Sequence, residues 1–165
     1  MIDDVDRKIL DELQTDASSS NLALAARVHV SAATCLRRVQ RLRDEGFIES
    51  QIAILNRERL AQSTGQGLTA IIEVTLERQA TEDLAAFETR MVSASAVQQC
   101  YRVSPGPDFV LVLYARDMAS YQQITQDLFT RDANVRNVKT FFSVKRSKFG
   151  AKIPLLEQDV APSSS

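Results

Sequence analysis

The sequence predicts an α+β protein, in which a small helical domain is followed by a domain that mixes strands and helices. Three observations predict this class. Up to about residue 48, apolar residues recur at three- and four-residue intervals, as on one side of a helix. Between residues 56 and 67 both periodicities stop in a polar stretch rich in turn formers. After residue 67, runs rich in β-branched residues alternate with helical patterns.

The first helix is expected to begin near Asp3, Asp4 and Asp6, whose carboxylates can accept hydrogen bonds from free backbone amides. Apolar residues then recur at helical spacing through about Thr15 and predict one buried stripe. A polar break over residues 16–20 ends this helix.

A short second helix and a tight turn are expected next. Asn21 stands where a side chain can cap the helix, and the turn into the following segment falls at His29–Val30. Histidine tolerates a left-handed backbone conformation better than a branched residue does, so we interpret His29 as a turn residue. A pH-sensing or metal-ligating role for His29 is the alternative.

Residues 31–48 predict a third helix with two chemically different faces. At about 100° per residue, Cys35, Val39 and Leu42 fall on one side, and Leu36 lies on the flank of the same apolar arc. The core of the helical domain is therefore expected to cover this side of the helix.

The opposite face of the third helix is cationic, and it carries the residues that we expect to contact DNA. No acidic residue interrupts residues 31–43, and small residues at the N-terminal end let the backbone approach base edges. Arginine side chains reach phosphates or guanine edges. A merely solvated cationic face is the alternative. The candidate DNA-binding residues are Ser31, Ala33, Thr34, Arg37, Arg38 and Arg41.

We expect residues 1–50 to form a helix-turn-helix domain of the winged-helix-like type. Their order is the one typical of such a domain: a helix, a short helix, a tight turn and a longer, arginine-bearing helix. A short strand is expected at residues 51–55, either as a wing or paired with its counterpart in a second subunit. We therefore expect residues 51–66 to form a short strand and a linker.

Residues 67–149 predict a ferredoxin-like domain, because their order β-α-β-β-α-β is that of the split βαβ arrangement. Thr81 is expected to cap the first helix of this domain. The uninterrupted apolar run at residues 109–115 is typical of a strand that is covered on both faces. Strands are expected at residues 68–76, 96–103, 109–115 and 135–144, and helices at 81–92 and 117–131.

A ferredoxin-like sheet carries its helices on one face and has to cover the other. Pairing with the sheet of a second copy is the simplest way to bury that face, so we expect a homodimer. The tail, residues 150–165, turns acidic and serine-rich from Leu155 onward, which predicts a disordered end.

Composition excludes several classes of function. The net charge of −1 argues against a protein that coats nucleic acid by overall charge, so DNA binding depends on local charge. The N-terminal end is acidic, and no run of 18 consecutive apolar residues occurs. We therefore expect neither a signal peptide nor a membrane span. We interpret Cys35 and Cys100 as buried apolar residues of a reduced, cytoplasmic protein rather than as a disulfide or a metal site.

No catalytic constellation is recognisable in the sequence. His29 is the single histidine, and no GxSxG, P-loop, dinucleotide or metal-spaced acidic motif occurs. We therefore expect no enzymatic activity, no metal and no cofactor.

Two parts of the sequence carry a resemblance to a known family. The runs IDDVDRKILDELQ and LRRVQRLRDEGFI resemble the DNA-binding domain of the Lrp/AsnC transcriptional regulators, the leucine-responsive or feast/famine family. VSPGPDF followed by DMASY is similar to the effector-sensing domain of that family. The resemblance covers about residues 2–149. It implies a DNA-binding homodimer that often assembles into octamers and bends promoter DNA, with small molecules, typically amino acids, bound between dimers.

The resemblance also implies an effector loop whose motif ends in Asp108 and Phe109. The family's usual motif begins with glycine, but here Pro105 stands at that position, and proline has no amide to donate to a carboxylate. Asp108 keeps its place and can take the ammonium group of an effector; capping of turn amides is the alternative. The candidate effector-binding residues are Ser104, Gly106, Asp108, Phe109 and Thr140.

We therefore predict a sequence-specific DNA-binding transcriptional regulator that acts as a dimer or higher oligomer and responds to a small effector, an amino acid. The main alternative is an architectural, nucleoid-type DNA-binding protein without an effector. A small ferredoxin-like enzyme and a ligand-sensing module that does not touch DNA are two further alternatives.

Overall fold

The computed structural model describes residues 1–65 and 67–155, which divide into two compact units. Met1–Ile54 and residues 148–155 belong to the helical unit, and Leu55–Ser147 is the sheet unit. The predicted disordered end of the tail falls on residues 156–165, outside the described residues. Within the described ranges, no helix has both the length and the apolar character needed to cross a membrane.

Three helices build the helical unit. They are α1 (Asp4–Thr15), α2 (Asn21–Arg27) and α3 (Ala32–Asp44). One apolar side of each helix packs into a shared core, because burying apolar surface is the main favourable contribution to folding. Cys35, Val39 and Leu42 lie in this core, which confirms the predicted buried side of α3.

Side-chain caps determine where these helices begin, since the amides of a first turn have no partner within the helix. At the start of α1, the carboxylates of Asp3 and Asp6 accept from each other's backbone amides at 2.9 and 3.0 Å, a reciprocal capping box. The acidic start predicted for α1 is therefore confirmed. Ser31 accepts from the amide of Thr34 and caps α3.

Two features hold the turn between α2 and α3. His29 adopts a left-handed backbone conformation, with φ 57°, which confirms its interpretation as a turn residue. The side chain of Asn21 donates from Nδ2 to the carbonyl oxygen of Ala32 at 2.8 Å, across the turn. The prediction that Asn21 caps α2 is wrong, because Ser20 precedes the helix and accepts from its first-turn amide.

The segment that follows α3 differs from its predicted form. Residues 51–55 form no strand within the described chain, where the four strands all lie in the sheet unit. The apolar side chains of Ile52, Ile54 and Leu55 are exposed. Pairing of this segment with its counterpart in a second subunit stays a prediction.

Residues 148–155 pack against the helical unit. The side-chain amide of Gln14 accepts from the backbone amide of Ile153 at 2.7 Å and donates to its carbonyl oxygen at 3.1 Å. Lys152 forms an ion pair with Asp11 at 2.8 Å. The described part of the tail is therefore held along α1.

The predicted linker contains a helix, α4 (Arg57–Thr64). Asn56 caps its start, and Gly65 ends it in a left-handed conformation that glycine adopts without a steric penalty. No residue of α4 is buried, so the sequence lacks the apolar periodicity from which a helix is recognised. Arg57 attaches the helix to the strand that follows it by donating to the hydroxyl of Thr69 at 3.0 Å.

After α4, the sheet unit continues as a four-stranded antiparallel sheet with two helical segments. In chain order, its elements are β1 (Leu68–Leu76), α5 (Thr81–Ser93), β2 (Val97–Arg102), β3 (Phe109–Ala115), α6 (Met118–Thr125) with a π-helical turn (Gln126–Thr130), and β4 (Val135–Phe142). The strand order is β2-β3-β1-β4. This is the ferredoxin-like arrangement, so the predicted α+β fold class is confirmed.

The helices cover one face of the sheet. Ile72 of β1 pairs with Leu111 of β3, and both are completely buried beneath the helices. The rings of Phe87 in α5 and Phe109 in β3 pack at 4.8 Å between centroids. The apolar side of α5 faces this core, whereas Met118 at the start of α6 is exposed.

One further prediction for the sheet unit is wrong. Thr81 does not cap α5: Ala80 precedes the helix, and it has no side chain that could accept a hydrogen bond. In the single chain, β3 is buried on the face beneath α5 and α6, whereas Tyr114 is exposed on the opposite, open face, whose coverage by a second copy stays a prediction. This open face also exposes Ile71 and Phe141, at 40% and 44%.

Candidate nucleic-acid interface and effector loop

A network of charged groups joins α1 to the cationic face of α3. Arg38 donates from Nη1 to the carboxylates of Asp3 and Asp6 at 2.7 and 2.8 Å. Arg41 donates from Nη2 to the other carboxylate oxygen of Asp6 at 2.6 Å. Asp6 is only 1% exposed, so its full charge lies at the edge of the core with two guanidinium partners. Buried carboxylates persist in this form when they are paired and hydrogen-bonded.

The network shifts the pKa values of its members. Burial by itself raises the pKa of Asp6, but the hydrogen bonds from the Asp3 amide and from the guanidinium groups of Arg41 and Arg38 outweigh it. The pKa of Asp6 is therefore far below its usual value. The hydrogen bond from the Asp6 amide, followed by that from Arg38, also lowers the pKa of Asp3.

The pairing divides the predicted DNA-binding arginines into two groups. Arg38 and Arg41 are half-buried and held by carboxylates, so their charges are largely compensated within the chain. Arg37 is exposed, and its side chain forms no hydrogen bond or ion pair within residues 1–65 and 67–155. Of these three side chains, Arg37 therefore offers the uncompensated charge on the solvent side of α3.

The remaining predicted DNA-binding residues lie at the N-terminal end of α3. Ser31 and Ala33 are exposed, and Thr34 is half-buried. The hydroxyl of Ser31 donates to that of Thr34 at 2.9 Å while it caps the helix. These residues and Arg37 occupy the first two turns of α3, so the structure brings them together at one end of the helix.

The solvent face of α3 is rotated relative to the face predicted from periodicity. Leu36, expected at the flank of the core, is 59% exposed, and Gln40 is exposed one turn further on. The acidic residues of α1 draw the side of Arg38 and Arg41 toward α1, which leaves the flank of Leu36 facing solvent. Sequence reasoning assigned Asp3 and Asp6 as caps only and missed their role as partners of these arginines.

The predicted effector residues separate into loop and core positions. Ser104 and Gly106 are exposed in the loop between β2 and β3, and Asp108 is half-buried at its end. Asp108 accepts through Oδ2 from the backbone amide of Leu76 at 2.7 Å and from the side chain of Gln79 at 3.2 Å. The described chain offers no hydrogen bond to the other carboxylate oxygen, Oδ1.

Phe109 and Thr140 lie away from the solvent side of that loop. Phe109 is completely buried in the core beneath the helices, where it anchors the start of β3. Thr140 of β4 accepts a hydrogen bond from the hydroxyl of Tyr121 at 2.8 Å and pairs with Ile72. Asp108 instead accepts from the amide of Leu76, which lies four residues beyond Ile72 along β1, about 13 Å away at the usual strand rise.

The remaining polar candidates form no further site in the described residues. No group of three or more histidine, cysteine, aspartate or glutamate side chains stands close enough to hold a metal ion within the described ranges. Both cysteines are free. Burial raises the pKa of the Cys35 and Cys100 thiols, and the negative charge of Glu88 raises the pKa of Cys100 further.

Comparison with known proteins assigns both units. Residues 2–43 match the AsnC-type helix-turn-helix domain, and residues 69–153 match the Lrp/AsnC ligand binding domain. The leucine-responsive regulatory protein of Rhizobium meliloti (strain 1021) is 36% identical over 154 residues, which are 93% of this chain and 96% of that protein. The chain belongs to the Lrp/AsnC family.

Solved structures of bacterial transcriptional regulators share the fold. An AsnC family transcriptional regulator from Agrobacterium tumefaciens superposes with a TM-score of 0.80 at 26% identity, over 93% of this chain and 97% of that one. A transcriptional regulator from Neisseria meningitidis, solved as a complex with L-Met, superposes with a TM-score of 0.79 at 27% identity, over 94% and 97% of the two chains.

Membership of the Lrp/AsnC family confirms the resemblance on which the sequence-based prediction rested. The chain is a transcriptional regulator of the Lrp/AsnC type, with a helix-turn-helix domain for DNA binding and a ligand-binding domain. Members of this family are regulators rather than enzymes. The individual contact residues stay predictions, and the geometry above favours Arg37 over Arg38 and Arg41 as the residue that reaches DNA.

Proposed function

We propose that this Lrp/AsnC protein is a cytoplasmic, sequence-specific regulator that binds promoter DNA as a dimer or higher oligomer and responds to an amino acid. The observation that carries the proposal is the solvent face of α3. There a capped helix presents small residues and the uncompensated guanidinium group of Arg37. Small residues permit close approach to base edges, and a free guanidinium group can bind phosphate or guanine.

Two heads of one dimer would enter successive major grooves of a partly palindromic site. Phosphate contacts supply affinity, whereas contacts from the N-terminal half of α3 supply sequence preference. The cap at Ser31 and the turn at His29 support this function, because they fix the direction in which α3 begins. Several dimers in one particle would strengthen weak individual contacts through effective concentration.

The open face of the sheet supports the dimer. Ile71 and Phe141 expose apolar surface there, although apolar surface of a sheet is normally buried. A second copy offers the same surface and can cover it symmetrically. We expect Ile71→Glu to dissociate the dimer in sedimentation velocity. Val92→Glu is the control, because Val92 is also exposed but lies on α5; equal effects of the two variants would contradict the assignment.

The loop before β3 supports an amino-acid effector. Oδ1 of Asp108 accepts no hydrogen bond in the described chain and can bind an ammonium group, while Oδ2 fixes the carboxylate against β1. The similar regulator from Neisseria meningitidis was solved as a complex with L-Met, which is an amino acid. An effector regulates only if it binds one assembly or DNA-binding state better than another.

Two measurements on the full-length chain test the function. Footprinting on genomic fragments should protect discrete sites, whereas uniform protection would indicate an architectural protein. Light scattering in the presence of each common amino acid should reveal at least one that changes the particle mass. If no amino acid changes either the mass or the footprint, the effector part of the proposal fails.

A further inference from the structure

The solvent face of α3 carries an apolar centre. Leu36 is 59% exposed, and Ala33 and Gln40 flank it at the three- and four-residue spacing of one helix face, with the exposed side chain of Arg37 next to it in sequence. These side chains line an open groove along the helix, together with residues near its C-terminal end. A large apolar side chain in the middle of the face that the helix-turn-helix domain presents outward is therefore available for contact with a partner.

The polar groups around Leu36 are largely engaged elsewhere. Gln40 donates from its side-chain amide to the carboxylate of Asp44 at 2.8 Å. Arg41 is held by Asp6 at 2.6 Å, and Glu45 lies within 3.5 Å of the other guanidinium nitrogen of Arg41. What the face offers to a ligand is therefore an apolar patch of Leu36 and Ala33 beside the free guanidinium group of Arg37.

Charge complementarity indicates which partner covers this patch. From Ser31 to Arg43 the chain contains no acidic residue, so the half of α3 around Leu36 is favourable for a polyanion. The acidic groups Asp44 and Glu45 lie at the far end of the helix, and both contact polar side chains of α3. The half of α3 around Leu36 therefore suits a partner that combines anionic groups with apolar groups. DNA has both, because phosphates line its major groove and apolar groups lie on the floor of that groove.

The apolar group that base pairs offer in the major groove is the C5-methyl group of thymine. We propose that Leu36, with Ala33 beside it, reads a thymine methyl group in the binding site, while Arg37 contacts a neighbouring guanine or phosphate. This inference rests on the proposed function, since it requires α3 to enter the major groove. It makes Leu36 a specificity-determining residue, a role that its position in the sequence, at the flank of the core, did not indicate.

The test uses DNA that differs by single methyl groups. Binding sites are first selected from random duplexes with the full-length protein, and the preferred site is then synthesised with deoxyuridine in place of each thymidine in turn. Deoxyuridine lacks the C5-methyl group and keeps the Watson–Crick edge. We expect the natural protein to lose about fourfold in affinity for each contacted methyl group, the value that corresponds to one buried methylene.

The variant Leu36→Ala should bind the same site more weakly and respond equally to thymidine and deoxyuridine at the contacted position. Leu22→Ala is the matched control, because Leu22 is also exposed but lies on α2, and this variant should keep the discrimination. Unchanged hydrogen exchange in α1–α3 shows that each variant is folded.

Three results would overturn the inference. If the natural protein binds its selected site and no thymidine can be distinguished from deoxyuridine, Leu36 reads no methyl group, although the proposed function stands. This comparison needs no variant. If Leu36→Ala keeps the full discrimination, another residue reads the methyl group. If the protein selects no sequence and binds no DNA, the proposed function fails together with the inference.

Discussion

Asp6 of α1 accepts a hydrogen bond through Oδ2 from Nη2 of Arg41 of α3 at 2.6 Å. The pair joins the first helix to the helix that we propose to read DNA, and Arg38 reinforces it through the other carboxylate oxygen. A charge that is 1% exposed would be costly without partners, whereas with two guanidinium groups it fixes the orientation of one helix on the other. The same residues that looked like DNA contacts thus position α3.

Removing the charge of Asp6 should loosen the helical unit. We expect Asp6→Asn to lower the free energy of unfolding of this unit by roughly 2–3 kcal/mol, less than for a fully buried pair because the guanidinium groups remain half-exposed. Hydrogen exchange should therefore accelerate in peptides from α1–α3 and stay unchanged in peptides from β1–β4. Asp4→Asn is the control, because Asp4 pairs with Arg7 on the surface. Equal exchange in the two variants would show that the network is dispensable.

Acid should weaken the helical unit through the same carboxylate. The pKa of Asp6 is lowered by folding from about 3.9 in an unfolded chain, so its contribution is complete above that pH and disappears as the pH falls below it. Protection factors of α1–α3, corrected for intrinsic exchange rates, should drop between pH 5 and pH 3. Asp6→Asn should show a smaller drop.

Another carboxylate of the helical unit serves as an internal reference for the acid experiment. Hydrogen bonds from the hydroxyl and amide of Ser18 and the hydroxyl of Ser19 lower the pKa of Asp16 to about 2. The natural chain and Asp6→Asn share Asp16, so its titration cancels when the two are compared. An identical pH dependence in both would exclude Asp6 as the source of the effect.

The left-handed turn at His29 predicts opposite effects for two substitutions. His29→Gly should stabilise the helical unit by about 0.5–1 kcal/mol, because glycine adopts a positive φ without a steric penalty. His29→Val should destabilise it by more than 1 kcal/mol, since a branched side chain is strained there. Chemical denaturation followed by circular dichroism measures both. A loss of stability in the glycine variant would show that the imidazole makes a contact that matters.

Local sequence signals predicted most of the fold. The alternating strands of the sheet unit and the buried stripe of α3 follow from periodicity, because one face of each element meets a core. The turn at His29 follows from the ability of histidine to adopt a left-handed backbone conformation. The helix α4 escaped this reasoning, since it is stabilised by its cap at Asn56 and by contacts of Arg57 rather than by an apolar face.

The candidate site was predictable only in part. Periodicity placed Arg37, Arg38 and Arg41 on one polar face of α3, which is correct as a statement about angle. Which of them is free depends on where Asp3 and Asp6 come to lie after α1 packs, and that is a tertiary contact across about 35 residues. Likewise Phe109 continues the loop motif in sequence, but strand alternation turns its side chain into the core.

The salt dependence of DNA binding measures the free charge of Arg37 most directly. For Arg37→Ala, the plot of log affinity against log salt concentration should lose about one unit of slope for each bound head. Arg131→Ala should match the natural protein, because Arg131 is an exposed arginine of the sheet unit that pairs with Asp127. A natural affinity and slope in Arg37→Ala would contradict the assignment of this face to DNA.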